Sequence, residues 1–184
     1  MVELKAQSGC AGLLPQSIGA VAIEEIKTGP ITALLVKPGQ SAALATALTA
    51  AHGLSWPAPG QRVSAGDAAC QWFGRETALL IGVAPDAGLA VHAGLSDQSD
   101  AWAAVSVSGT AVEAVLARLL PIDVRLAAFP VGHAARTLCQ HVSVAVTRVS
   151  EDRFEILAFR SMAGTVVHDL TDAARAVAAR AAIV

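Results

Sequence analysis

Short runs of alternating or periodic apolar residues, separated by Gly, Pro and acidic turns, divide the chain. Ser17–Ile26 (SIGAVAIEEI) and Ile31–Lys37 (ITALLVK) predict β-strands on either side of Thr28-Gly29-Pro30. Pro38-Gly39 then opens a predicted helix over Ser41–Ala51, in which Leu44 and Leu48 fall four apart on one face. Gly53 is placed to end it, because glycine accepts the left-handed conformation of a helix C-terminus. Leu54–Asp67 is rich in Pro, Gly and Ser and reads as a long loop. Cys70–Gly74 (CQWFG) and Thr77–Val83 (TALLIGV) flank Arg75-Glu76 as a hairpin, and Pro85-Asp86 starts a helix running to about Leu95.

The second half opens on a strand, Ala101–Ser108 (AWAAVSVS). Gly109-Thr110 leads into an amphipathic helix over Ala111–Leu120, with Val112, Val115, Leu116, Leu119 and Leu120 on one face and Glu113 and Arg118 toward water. Pro121 ends it. After Phe129-Pro130-Val131-Gly132 comes a predicted strand, Leu138–Val149, in which Val142, Val144, Val146 and Arg148 alternate with Ser143, Ala145 and Thr147. The turn Ser150-Glu151-Asp152 connects it to Phe154–Arg160, and a last helix starts near Ala163.

The two halves echo each other in order. VKPGQSAALATAL answers VSVSGTAVEAVLARL, and CQWFGRETALLIGV answers VAVTRVSEDRFEILAF. Each half has a helical crossover between strands, the pattern of a split β-α-β unit. The predicted fold class is therefore α+β, with duplicated ferredoxin-like halves. Residues 1–95 form a β-β-α-β-β-α half and residues 96–184 a β-α-β-β-α half, packed as one compact unit.

Composition narrows the function. Of 184 residues, 54% are apolar and only 15% charged, and the net charge is −2, so no basic stripe is available to displace counterions from a nucleic acid. Mean hydropathy is +0.54. Yet the longest charge-free stretch, Pro38–Gln61, carries Pro38, Pro57, Pro59 and His52 and does not read as a membrane span. No leader segment is visible, and Cys10, Cys70 and Cys139 are too few and too far apart for a disulfide framework. The chain reads as cytoplasmic, with no nucleic-acid or membrane partner. So few charges leave much of the surface neutral, which points to a permanent interface with other chains.

Most candidate chemistry reads as structural. Cys139, His141 and His133 offer three ligands where zinc wants a fixed shell of four, and neither Cys70 nor Cys139, as a nucleophile activated by His, is surrounded by a family signature or an oxyanion-hole loop. His168 and Asp169 are helix neighbours that diverge by about 100°. No G-x-G-x-x-G or G-x-x-x-x-G-K-[ST] run is present. No catalytic, cofactor or metal residue is assigned. Arg136 and Arg160 stand in apolar stretches, either pairing with a partner subunit or anion, forming an internal ion pair, or ending a strand in water; Trp102, like Trp56 and Trp72, is an interface anchor or a core residue. Trp102, Arg136 and Arg160 are the candidate partner-interface residues.

The order of short motifs from Leu95 to Leu170 resembles the gamma subunit of heterotetrameric sarcosine oxidase. The pieces are D-Q-S-D-A-W ending at Trp102, S-G-T-A-V-E-A-V-L from Ser108, P-I-D from Pro121, A-F-P-V-G from Ala128, A-R-T around Arg136, and F-R-S-M-A around Arg160. The resemblance implies a non-catalytic structural chain, partnered by alpha, beta and delta subunits. The whole enzyme would demethylate sarcosine oxidatively to glycine and hydrogen peroxide, passing the one-carbon unit to tetrahydrofolate. FAD, FMN, NAD, tetrahydrofolate and zinc are expected in the other subunits and none in this one. The resemblance also implies a fold related to the folate-binding domains of aminomethyltransferases; the alternative function is a stand-alone folate-binding one-carbon protein.

Overall fold

The computed structural model describes residues 3 and 5–183. Its first strands are β1 (Gln16–Ile18), β2 (Val21–Glu25) and β3 (Ile31–Val36), followed by helix α1 (Ser41–His52). Then come β4 (Arg62–Ala65), β5 (Ala68–Gly74), β6 (Thr77–Ile81), a 3₁₀ turn (Ala87–Val91), β7 (Ala93–Asp97) and β8 (Trp102–Ser108). The chain continues through α2 (Val112–Leu116), β9 (Ala134–Cys139), β10 (Val142–Ser150), β11 (Arg153–Phe159), a second 3₁₀ turn (Arg160–Met162) and α3 (Ala163–Ala181).

The strands form two sheets, antiparallel throughout, in the orders β1-β2-β8-β11-β10-β9 and β4-β5-β6-β3-β7. Sheet membership does not follow the division at residue 95: the N-terminal hairpin β1–β2 joins the sheet of the second half through β8. The strand alternation explains the layers. In the five-stranded sheet Leu34, Cys70, Ala78 and Leu80 face Leu44 and Leu48 of α1. In the six-stranded sheet Val105, Val107, Val144, Val146 and Ile156 face Val115 and Leu116 of α2 and Val166, Val167 and Leu170 of α3. The opposite faces meet each other, Ile31, Ala69, Leu79 and Ile81 against Ala104, Ala145 and Leu157. The result is helix, sheet, sheet, helix. Side-chain pairs tie the seam as well: Thr147 Oγ1 donates to Gln71 Oε1 at 2.9 Å, fully buried, and Arg62 pairs with Glu155 at 2.5 Å.

Several predicted elements change form. The run Ser17–Ile26 is a hairpin, turned at Gly19-Ala20, and the Leu54–Asp67 loop contains β4. The helix predicted to about Leu95 is only a 3₁₀ turn, because Ala93–Asp97 is taken as an edge strand beside β3. Ala111–Leu120 yields a short α2, with Leu119 and Leu120 buried in the turns after it. The strand predicted to start at Leu138 is two strands, because Gln140 adopts a left-handed φ of 51° and reverses the chain. Glu113, expected toward water, is half-buried and turns to Arg148 of β10; Gly53 is the expected left-handed cap of α1 (φ 67°).

One glycine locks the halves of the six-stranded sheet together. At the end of β8, Gly109 has φ +120°, and a Cβ there would lie 2.1 Å from the Ala20 carbonyl oxygen in the β1–β2 turn. Gly109→Ala is therefore expected to lower stability by about 2–3 kcal/mol, combining backbone strain with overpacking. A urea midpoint within error of wild type would remove this role for Gly109.

Candidate functional site

Where β8 starts and β11 ends, Phe159 is the register partner of Trp102, and the two rings stack with centroids 4.8 Å apart. Phe73, near the end of β5 in the other sheet, meets Trp102 edge-on at 5.5 Å. Arg136, on β9, lays its guanidinium 4.4 Å from the centre of the Phe73 ring. These side chains wall a cleft of about 280 Å³ at the open end of the sheet-to-sheet seam, where β9 and β10 run past the five-stranded sheet. Aromatic stacking and cation–π attraction hold this wall. Its rim is exposed: Phe159 keeps 46% and Leu138 44% of their surface in water. Behind Trp102 lies a second cleft of about 270 Å³, edged by Glu25, Lys27 and Arg160.

The structure thus gathers the three candidate interface residues around one point. Trp102 is shared by both clefts, Arg136 lines the first and Arg160 the second. Arg160 also donates to the Gln7 carbonyl. The Trp102 Nε1–H is buried without a hydrogen-bond partner among the described residues. Phe73 and Phe159 were not singled out from sequence. The signal for Phe159 was its place between Ala158 and Arg160, out of phase with buried Phe154, Ile156 and Ala158. The first cleft's lining is aromatic, aliphatic and hydroxyl, with Arg136 as its charge. Such a lining offers stacking and ion pairing.

The other candidates lie apart. Cys139 ends β9 and is buried, His141 is exposed in the β9–β10 turn, and His133 precedes the far end of β9, edge-on to Phe129. His168 pairs on its own helix with Asp172 at 3.3 Å, one turn away, and not with Asp169. Among the described residues no group of three or more His, Cys, Asp or Glu stands ready to hold a metal ion. Burial pushes the Cys70 thiol up to about 12. Burial, and then the charge of Asp169, does the same for Cys139. Burial also raises Cys10, aided by the Glu25 carboxylate, to about 11. Trp56 packs against the core under α1.

The most demanding polar residue is Arg148 on β10. It is fully buried and stacks 4.3 Å from the Phe154 ring centre. It donates to Glu113 Oε1 of α2 at 2.6 Å and to the carbonyls of Val124 and Glu151. The same Glu113 oxygen accepts the Leu126 N–H at 3.0 Å. One arginine thereby fixes the helix, the long connection after it, and the β10–β11 turn.

Fold and cleft together define a class: an α+β protein of two stacked antiparallel sheets, backed by helices, with an aromatic-lined cleft at the seam. Comparison with known proteins is more specific. The profile of the "Sarcosine oxidase, gamma subunit family" matches residues 39–176, and the chain belongs to that family. No curated protein sequence matches it. It is similar to a chain in the structure of heterotetrameric sarcosine oxidase from Corynebacterium sp. U-96 in complex with pyrrole 2-carboxylate. That chain is 24% identical, with a TM-score of 0.78, and the match covers 94% of this chain and 96% of that one. This likeness establishes the shared fold. A remoter likeness, to the regulatory subunit of aspartate kinase from Thermus thermophilus, has 14% identity and a TM-score of 0.40 over 86% and 99% of the two chains, and carries no argument. No helix among the described residues is long and apolar enough to cross a membrane.

Proposed function

We propose that this chain is the gamma subunit of a cytoplasmic heterotetrameric sarcosine oxidase, non-catalytic by itself and associated with alpha, beta and delta chains. In this reading the complex oxidises sarcosine to glycine, with hydrogen peroxide and tetrahydrofolate-linked one-carbon transfer. FAD, FMN, NAD, tetrahydrofolate and zinc sit in the other chains. The family match over residues 39–176 carries the reading. The low charge content and the exposed rim around Trp102 support a lasting association.

Strand order supports the finer fold reading, two ferredoxin-like units related to the folate-binding domains of aminomethyltransferases. In the first unit β3-α1-β5-β6-β7 lie in the order β5-β6-β3-β7. In the second β8-α2-β10-β11-α3 lie in the order β8-β11-β10, and β2 takes the fourth place beside β8. The two repeats then divide just after β7, close to the expected boundary between residues 1–95 and 96–184, with the N-terminal hairpin lent across the seam.

The test is co-expression with the three other chains and native capture through this one. A yellow eluate, with a flavin absorption spectrum and the four chains in equal amounts, is expected. A colourless eluate holding this chain alone overturns the proposal. Saturable tetrahydrofolate binding by that isolated chain would then favour the stand-alone one-carbon protein.

A further inference from the structure

The open edge of β9 borders the first cleft, and its hydrogen-bonding groups can be followed one by one. Cys139 and Val142 close the two-residue turn as partners, and Thr137 pairs with Val144 and Ala135 with Val146. The odd-numbered residues therefore bond inward to β10, and the even-numbered ones point their N–H and C=O outward. Two outward N–H groups are used within the chain: Ala134 donates to the Gly60 carbonyl at 2.8 Å, and Gln140 donates to the Leu119 carbonyl at 2.9 Å. Between them, the outward backbone groups of Arg136 and Leu138 have no partner among the described residues. Edge strands are commonly blunted by charge, proline or brevity. Here the edge instead offers an exposed Leu138, and the side chains of Arg136 and Leu138 lie on the face that lines the cleft beside Trp102 and Phe159.

We infer that β9 and this cleft take an extended segment of another chain of the assembly, which adds a strand to the sheet edge. The inference rests on the assembly proposed above. The segment hydrogen-bonds through its backbone to Arg136 and Leu138, lays an apolar side chain over Phe159 and Leu138, and presents a carboxylate to Arg136. Charge selects this occupant. The guanidinium of Arg136 is stacked on Phe73 with no carboxylate within ion-pair distance among the described residues, and no acidic residue lines the cleft. A second copy of this chain, paired edge to edge about Thr137, would bring Arg136 diagonal to Arg136 with no acid to relieve them. Strand addition draws affinity from main-chain bonds and specificity from alternate side chains, and both are present at this edge.

Hydrogen exchange on the purified four-chain complex and on the free full-length chain tests the inference. Exchange of the Arg136 and Leu138 amides is expected to slow at least about tenfold on assembly. Two variants test it independently. Leu138→Pro removes an N–H that points away from β10, which an edge strand tolerates, and Arg136→Glu reverses the charge on an exposed side chain. Each is expected to lower capture of the other chains at least about tenfold, while the free variant melts within a few degrees of wild type. If Leu138→Pro fails to fold, Arg136→Glu and the exchange experiment still decide. Wild-type assembly with unchanged exchange over residues 135–139, or protection that appears in the free chain on concentration, overturns the inference and leaves the assembly standing. If the wild-type chain captures no partner, the assembly reading falls, and this one with it.

Discussion

Replacing Arg148 with methionine is expected to lower the unfolding free energy by about 2–3 kcal/mol, because the arginine is fully buried while its partner Glu113 stays 38% exposed. The expectation follows from what is left behind. Methionine fills much of the volume and still covers Phe154, so the apolar loss is small. The carboxylate of Glu113 and the carbonyls of Val124 and Glu151 lose their donor. An unsatisfied buried acceptor costs about 1–3 kcal/mol, and the Val124 carbonyl is one, whereas Glu113 and the Glu151 carbonyl can turn partly to water. Lysine keeps the charge but not the fork that reaches three separate acceptors, so Arg148→Lys is expected to recover less than half of the loss. Urea unfolding reads these directly. A companion substitution, Glu113→Gln, should be partly non-additive with Arg148→Met, with a coupling of about 1–3 kcal/mol. Full additivity would mean that the pair does not act as a unit. An Arg148→Met midpoint close to wild type would show that the connection from α2 to β9 is held by its apolar contacts alone.

The alternation of β10 made Arg148 readable as a residue in phase with Val142, Val144 and Val146, yet not as their anchor. Besides the nearby Glu151 carbonyl, its partners lie 24 and 35 positions away, on a loop and on a short helix, where no local spacing could name them. The same distinction runs through the fold. Elements whose stabilising contacts are local were legible: α1 through Leu44, Leu48 and Gly53, the β5–β6 hairpin through Arg75-Glu76, and α3 through its apolar stripe. Elements set by pairing partners were not. β7 is a strand because β3 has a free side to fill, and Ala93–Asp97 alone carries little β signal. The hairpin β1–β2 belongs with β8 across some 80 residues, a topology that the repeat pattern of the two halves did not disclose. At the candidate site, Arg136 and Arg160 stood out because arginine is uncommon in an apolar run, and Trp102 because tryptophan is enriched at interfaces. That β8, β9 and the end of β11 would bring them to the two sides of one tryptophan needed the sheet order.

Raising the pH from about 8 to about 10.5 is expected to destabilise the chain steeply, through cysteine rather than tyrosine. The chain has no Tyr, and its lysines are only Lys5, Lys27 and Lys37. Cys70 and Cys139 are fully buried, and burial lifts both thiols from 9.0 to about 12, with Asp169 adding to the rise at Cys139. The unfolded chain therefore gives up these protons near pH 9, whereas the native chain holds them until about 12. In that window the native state binds more protons, so stability is intact below the unfolded value and falls as pH rises. Each thiol costs the folding equilibrium about tenfold per pH unit, so the two together cost about a hundredfold. Cys10, raised to about 11, adds to the slope over a shorter span. Urea midpoints measured at steps through this window should drop continuously for the wild type. The Cys70→Ala/Cys139→Ala chain, less stable at about pH 8 by the lost packing, should keep only the shallow slope that Cys10 supplies. Equal slopes in the two proteins would place the alkaline transition elsewhere. A flat wild-type midpoint would mean that the core opens to hydroxide and solvates the thiolates without unfolding.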